Sequence, residues 1–149
     1  MDREAVFNQM MEKVYGVASL VQKANQPKQY GSEDLLYMNE VHTLKAIYER
    51  PGLSLGELAE QTFRTKGSTS LMVDKLVGKG LVEKRRASED SRRYELVTTE
   101  KGRRVAEYHK EYDRINYKVI LDQMSDLSDE AIADCDEILS RLIRYRLGH

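Results

Sequence analysis

The sequence predicts a mainly α fold in which several helices carry a single β-hairpin, and three observations predict it. Apolar residues recur at three- and four-residue steps over most of the chain. Ser or Thr stands at the position of an N-cap ahead of four of those stretches, at Ser54, Thr65, Thr99 and Ser128. Two strand-like runs, LVEKRR and YELVT, separated by a turn-rich connection, interrupt the helical pattern once. At 149 residues the chain suits one domain, 1–149, with a modest core.

From Arg3 to Asn25, the residues Phe7, Met10, Met11, Val14, Val17, Ala18 and Val21 mark one face of an amphipathic helix. Asn25-Gln26-Pro27 ends it, and a connector through KQYGSED leads to a second helix, NEVHTLKAIYER, closed by Pro51-Gly52. Ser54 followed three residues later by Glu57 is a capping box for a helix starting at Leu55, with Leu53 and Leu58 spaced as a hydrophobic staple. After the polar RTKGST, Thr65 caps a helix that buries Thr69, Met72, Val73 and Leu76 and ends near Lys79. Gly80 then takes the left-handed conformation past its end. The hairpin follows. Thr99 opens a long helix through Tyr108, Tyr112, Ile115 and Val119 to about Met124, and Ser128 caps a last one to about Leu147.

Two helices joined by a tight turn make a helix-turn-helix, and a basic hairpin directly after it makes the arrangement a winged helix. The second of those helices keeps small, polar or basic residues on its open face, which allows close approach to a DNA groove and supplies donors to bases and phosphates. The hairpin tip, Ser91-Arg92-Arg93, has the reach and charge for a minor groove. Between Arg64 and Arg104 twelve basic residues face six acidic ones, a net +6 in a chain whose total is −1, so the rest carries −7. This segregation favours a nucleic-acid reader over a winged helix that docks on protein.

The text MVDKLVGKGLVEKR, the wing sequence Asp90-Ser91-Arg92, and Thr99 followed by Gly102 resemble the MarR family of bacterial winged-helix transcriptional regulators. The resemblance covers the central fifty residues and reaches the flanking helices only in their layout. It implies that Lys66, Ser68 and Ser70 face the major groove, that Arg92 enters the minor groove and that Asp90 positions the wing arginine. Thr65, Leu71, Lys75, Arg86 and Arg93 complete the expected DNA-binding set. Leu71 departs from the basic residue usual at its position, and Tyr37 replaces the Ser or Thr that commonly precedes the second helix. The resemblance also implies a regulator, and a repressor in particular, that is released or tuned by a small-molecule effector lodged between dimer base and reading heads. Tyr37, His42, Tyr108 and Tyr112 are the expected pocket residues.

The terminal segments 1–36 and 105–149 have faces too apolar to be left in water, which predicts a two-fold homodimer built on them, with 37–104 as the DNA-binding unit. Two recognition helices would then read a pseudo-palindromic duplex with half-sites roughly 34 Å apart. No nucleophile elbow, phosphate loop, dinucleotide fingerprint or zinc-protease helix is present, so an enzyme is not expected. The single Cys135 falls in a helical stripe with Ile132, Ile138, Leu139, Leu142 and Ile143 and makes no internal disulfide. Neither a cofactor nor a metal centre is expected. The alternative is a metal-responsive regulator using His42 and His109 with the acids Glu40 and Glu111. No apolar run is long enough to span a membrane and no signal sequence is visible, so the expected compartment is the cytoplasm.

Overall fold

The computed structural model describes residues 1–89 and 91–148. The elements run α1 (Arg3–Ala24), β1 (Lys28–Gln29), β2 (Leu35–Leu36), α2 (Met38–Glu49), α3 (Leu55–Gln61), α4 (Lys66–Gly78), β3 (Val82–Arg86), β4 (Tyr94–Thr98), α5 (Glu100–Asp122) and α6 (Asp129–Leu147). Each helix expected from periodicity and capping is present, with ends shifted by no more than about two residues. The caps are those the sequence announces. Thr65 Oγ1 accepts from Ser68 N at 3.1 Å, Thr99 Oγ1 from Gly102 N at 3.0 Å, and Ser128 Oγ from Ala131 N at 3.2 Å.

Two local features differ from the sequence reading. The connector after α1 folds into a ribbon in which Lys28 pairs with Leu36 and Gln29 with Leu35, reversing at Gly31 with φ +69°. Strands of two residues are too short to leave a period in sequence. Only half of the capping box at α3 forms: Ser54 Oγ accepts from Glu57 N at 3.2 Å, while the Glu57 carboxylate pairs with Arg93. The other half of such a box appears at α2, where Tyr37 N donates to Glu40 Oε2 at 2.8 Å. A backbone amide needs no hydroxyl from its own residue to be satisfied this way, so Tyr37 can precede the helix.

The core lies between α2, α3, α4, the β3–β4 hairpin and the first half of α5. Leu36, Leu44, Ile47, Leu58, Val73, Leu76, Leu81 and Val105 are fully buried there, and the predicted Thr69, Met72, Val73 and Leu76 are all inside. The staple residues Leu53 and Leu58 are buried as well, and Leu53 bridges to Leu96 at the root of the hairpin.

The exit of α4 is held from two sides. Lys79 Nζ donates to buried Glu40 Oε1 at 2.7 Å and to Leu35 O at 3.1 Å, tying it to α2 and β2. On the other side Thr99 Oγ1 donates to Gly80 O at 2.6 Å, Thr99 N to Leu81 O at 3.1 Å, and Lys101 Nζ to Lys79 O at 2.9 Å. Gly102 permits that grip, since a Cβ there would lie 1.9 Å from Leu81 O. The helix that leads away from the head is therefore fastened to the helix with the open polar face.

By contrast α1 and α6 bury no residue, and the buried residues of α5 end at Asp113. Beyond that point Ile115, Val119 and Ile120 are exposed, as are Phe7, Val17, Leu20 and Val21 on α1 and Ile132, Ile138 and Leu139 on α6. The link between the chain ends includes a hydrogen bond from Arg146 Nη2 to Tyr15 Oη at 2.6 Å.

Candidate nucleic-acid interface

Burying Thr69, Met72, Val73 and Leu76 turns the opposite face of α4 outward, so Lys66, Gly67, Ser68, Leu71, Asp74 and Lys75 are exposed. Ser70 is half-buried at the edge of that face, and Thr65 is exposed with its hydroxyl committed to the cap. Leu71 is 71% exposed, a large apolar side chain held out where contact with a thymine methyl is open to it. Short side chains surround Leu71 on this face; Lys75 stands on it, while the Lys66 side chain turns back against Gly56 at the start of α3.

The hairpin stands on the same side. Lys84 of β3 pairs with Asp74 of α4 at 2.7 Å, fixing strand to helix. Arg86 closes β3 opposite Tyr94 and lies with its guanidinium carbon 5.8 Å from that ring's centre, within cation–π range. Arg92 is exposed at the tip. Arg93 is exposed as well, and its Nη2 turns back to Glu57 Oε1 at 2.7 Å. Asp90, expected to position the wing arginine, lies outside the described residues.

A separate cleft of about 360 Å³ opens where α2, α5 and the α3–α4 turn meet. Of the four residues expected in an effector pocket, His42 alone lines it. Tyr37 is occupied as the N-cap of α2, Tyr108 lies along Gly31, and the exposed Tyr112 points elsewhere. The residues that periodicity did not single out are Lys45, Asp113 and Tyr117, which join His42 on the wall. The signal for Asp113 was available in the four-residue step from His109, one helical turn.

His42, His109 and Asp113 place one ligand-type atom each within 4.8 Å of one another. The two imidazole rings are 5.0 Å apart centre to centre, and Tyr30 meets His109 edge-on at 5.5 Å. His109 Nε2 approaches Asp113 Oδ2 at 3.1 Å, but out of line for a hydrogen bond, so both are buried without one. Lys45 Nζ lies 3.8 Å from the same carboxylate oxygen. Desolvation holds both histidines below the ordinary imidazole pKa. Asp113 pulls the other way, while Lys45 adds to the lowering of both and His42 to that of His109. The acids expected beside these histidines do other work: Glu40 binds Lys79, and Glu111 binds Arg114 at 2.7 Å.

A helix with an open polar face, a basic hairpin braced against it, and a long helix fastened to its exit define a winged-helix protein. The model of the MarR family matches residues 36–94, from the end of β2 to the start of β4. Among proteins of related sequence it is 23% identical over 115 residues to the uncharacterized HTH-type transcriptional regulator YhjH of Bacillus subtilis, an alignment covering 77% of this chain and 66% of that protein. The crystal structure of the transcriptional regulator BldR from Sulfolobus solfataricus matches 95% of this chain and 99% of its own, at 28% identity and a TM-score of 0.70. Streptococcus pneumoniae FabT, crystallised in complex with DNA, matches with a TM-score of 0.66 at 24% identity, covering 95% of this chain and 96% of its own. The zinc-responsive MarR family member ZitR of Lactococcus lactis matches with a TM-score of 0.64 at 20% identity, covering 93% of this chain and 98% of its own. These last two likenesses concern the fold. Among the described residues no helix is long and apolar enough to cross a membrane.

Proposed function

We propose that the protein is a DNA-binding transcription regulator, a repressor, which reads a pseudo-palindromic operator as a homodimer and is released by a small effector. One observation carries this reading: the open face of α4, with its short side chains and Lys75, is braced through Asp74 to a hairpin tipped by Arg92. Short side chains let the helix backbone approach base edges, while arginine favours the negative potential of a narrow minor groove. A solvated face would need neither feature.

The test is selection of a bound duplex from random sequence, followed by affinity measurement over a range of salt. Phosphate contacts predict a linear fall of log affinity with log salt, of slope about −0.9 per contact. Arg92→Ala should weaken binding to the selected duplex about tenfold, the scale of one lost groove contact. A variant that binds it as tightly as wild type would sink the wing assignment.

A second reading makes the effector a divalent metal ion, and the His42–His109–Asp113 cluster favours it. Two imidazoles kept neutral and a carboxylate one helical turn from His109 are a donor set suited to zinc or a similar ion. Lys45 would have to swing off Asp113 for the ion to enter. These residues join α2 of the head to α5, so an ion held by both would set the angle between them. Tag-free protein should bind about one zinc per chain in a competition titration and lose that binding in His109→Asn. Equal binding by variant and wild type would place the ion elsewhere.

A further inference from the structure

Lys45 stands between two carboxylates. It leaves α2 three residues after His42 and lines the same cleft as Asp113 of α5 and Glu49, the latter one helical turn further along α2. Its Nζ lies 3.8 Å from Asp113 Oδ2, and its side chain is 31% exposed against 11% for that carboxylate. Glu49 is exposed and, among the described residues, in no ion pair, although its spacing suits it to receive the same ammonium.

The ammonium does not complete the cluster it touches. At 3.8 Å it is beyond hydrogen-bond length, and Asp113 Oδ2 and both ring nitrogens of His109 stay buried without a partner. Buried atoms left in that state carry the full cost of their desolvation. A divalent ion would take a lone pair from each of His42, His109 and Asp113, whose ligand atoms lie within 4.8 Å of one another. It could not share Asp113 with an ammonium without repulsion, and the flexible four-carbon stem of lysine allows the ammonium to leave.

We propose that Lys45 is a resident competitor for the ion: in the metal-free chain it neutralises Asp113, and on metal entry it crosses to Glu49. This inference rests on the metal reading of the cluster and adds to it what sets the amount of metal needed. Because the ammonium is given up before the ion is held, the site fills only above a raised free-metal concentration. Glu49 lowers that threshold by taking the ammonium over. The exchange also keeps a cation beside Asp113 in both states, so the buried carboxylate is never left uncompensated.

The experiment is a zinc titration of tag-free protein against a chromophoric chelator at fixed pH and ionic strength. Wild type is compared with Lys45→Gln, Glu49→Gln, the double variant, and Lys118→Gln, which removes the same charge from α5 outside the cleft. Lys45→Gln should bind zinc about fivefold more tightly, the upper end for a partly screened pair. Glu49→Gln should bind it about twofold more weakly, and should have no effect once Lys45 is replaced. Lys118→Gln should match wild type. Urea unfolding in chelator supplies a second readout: Lys45→Gln should lower the midpoint, because Asp113 then has no counter-charge. Zinc affinity of Lys45→Gln equal to wild type or weaker would overturn the exchange. So would tightening of the same size in Lys118→Gln, or equal weakening by Glu49→Gln with and without Lys45, since both would reduce the effect to overall charge. Absence of zinc binding by wild type and Lys45→Gln alike would remove the metal reading itself, whereas failure of the exchange alone leaves wild type binding zinc.

Discussion

His42 and His109 show how a single residue's surroundings set its charge state. Both imidazoles are held below the ordinary 6.5 by desolvation first, with Lys45 adding to it and Asp113 opposing. In the unfolded chain the same rings titrate near 6.5, so between that value and the folded one the unfolded state binds more protons. Stability from this source is fully present above about pH 6.5 and is lost as pH falls through the folded values. Glu111 and Glu137, whose pKa values are lowered by their arginine partners, contribute only in a more acidic window. Urea unfolding in chelator at stepped pH should show a decline that sets in as pH falls below about 6.5 and is reduced in His42→Asn/His109→Asn. A decline of the same size in the variant would mean that these rings are not what responds.

At the scale of elements, the strongest constraint is the grip of α5 on the exit of α4. Gly102 sits where any side chain would collide with Leu81 O, so Gly102→Ala must push the first turn of α5 away and strain the bonds from Thr99 and Lys101. A cost of about 3 kcal/mol is expected, at the upper end for overpacking, and chemical denaturation measures it; a loss below about 1 kcal/mol would show that the two elements yield independently. This constraint was only partly legible in sequence. Caps, staples and apolar periods are local, so Ser54, Thr65, Thr99 and Ser128 marked helix starts correctly, and the buried face of α4 could be named residue by residue. Pairings between distant segments leave no period. Glu40 with Lys79, Glu57 with Arg93, and the convergence of His42 on His109 and Asp113 became visible only when α2, α3, α4, α5 and the hairpin were brought together. Arg93 illustrates the limit: its position beside Arg92 suggested a groove probe, and only the fold shows it turned toward α3.

At the scale of the molecule, α1 and α6 are helices of 22 and 19 residues in which no residue is fully buried. Most helical stability in proteins comes from packing an amphipathic face, so tertiary packing must hold these segments, and the apolar residues left open on α1, distal α5 and α6 name the surface that needs covering. A second copy related by a two-fold axis would cover all three at once and would set two α4 helices for two half-sites. The protein should therefore sediment as a dimer at micromolar concentration, with an unfolding midpoint that rises with concentration. Leu139→Glu places a charge in that surface without touching the head and should shift the species toward monomer. Because a dimer binds its second half-site intramolecularly, the monomeric variant should lose about 10²-fold or more in affinity for the full operator while retaining its weak affinity for a half-site. If sedimentation shows wild type to be a monomer, or if the charged variant binds the full operator undiminished, α1 and α6 do not pair the reading heads.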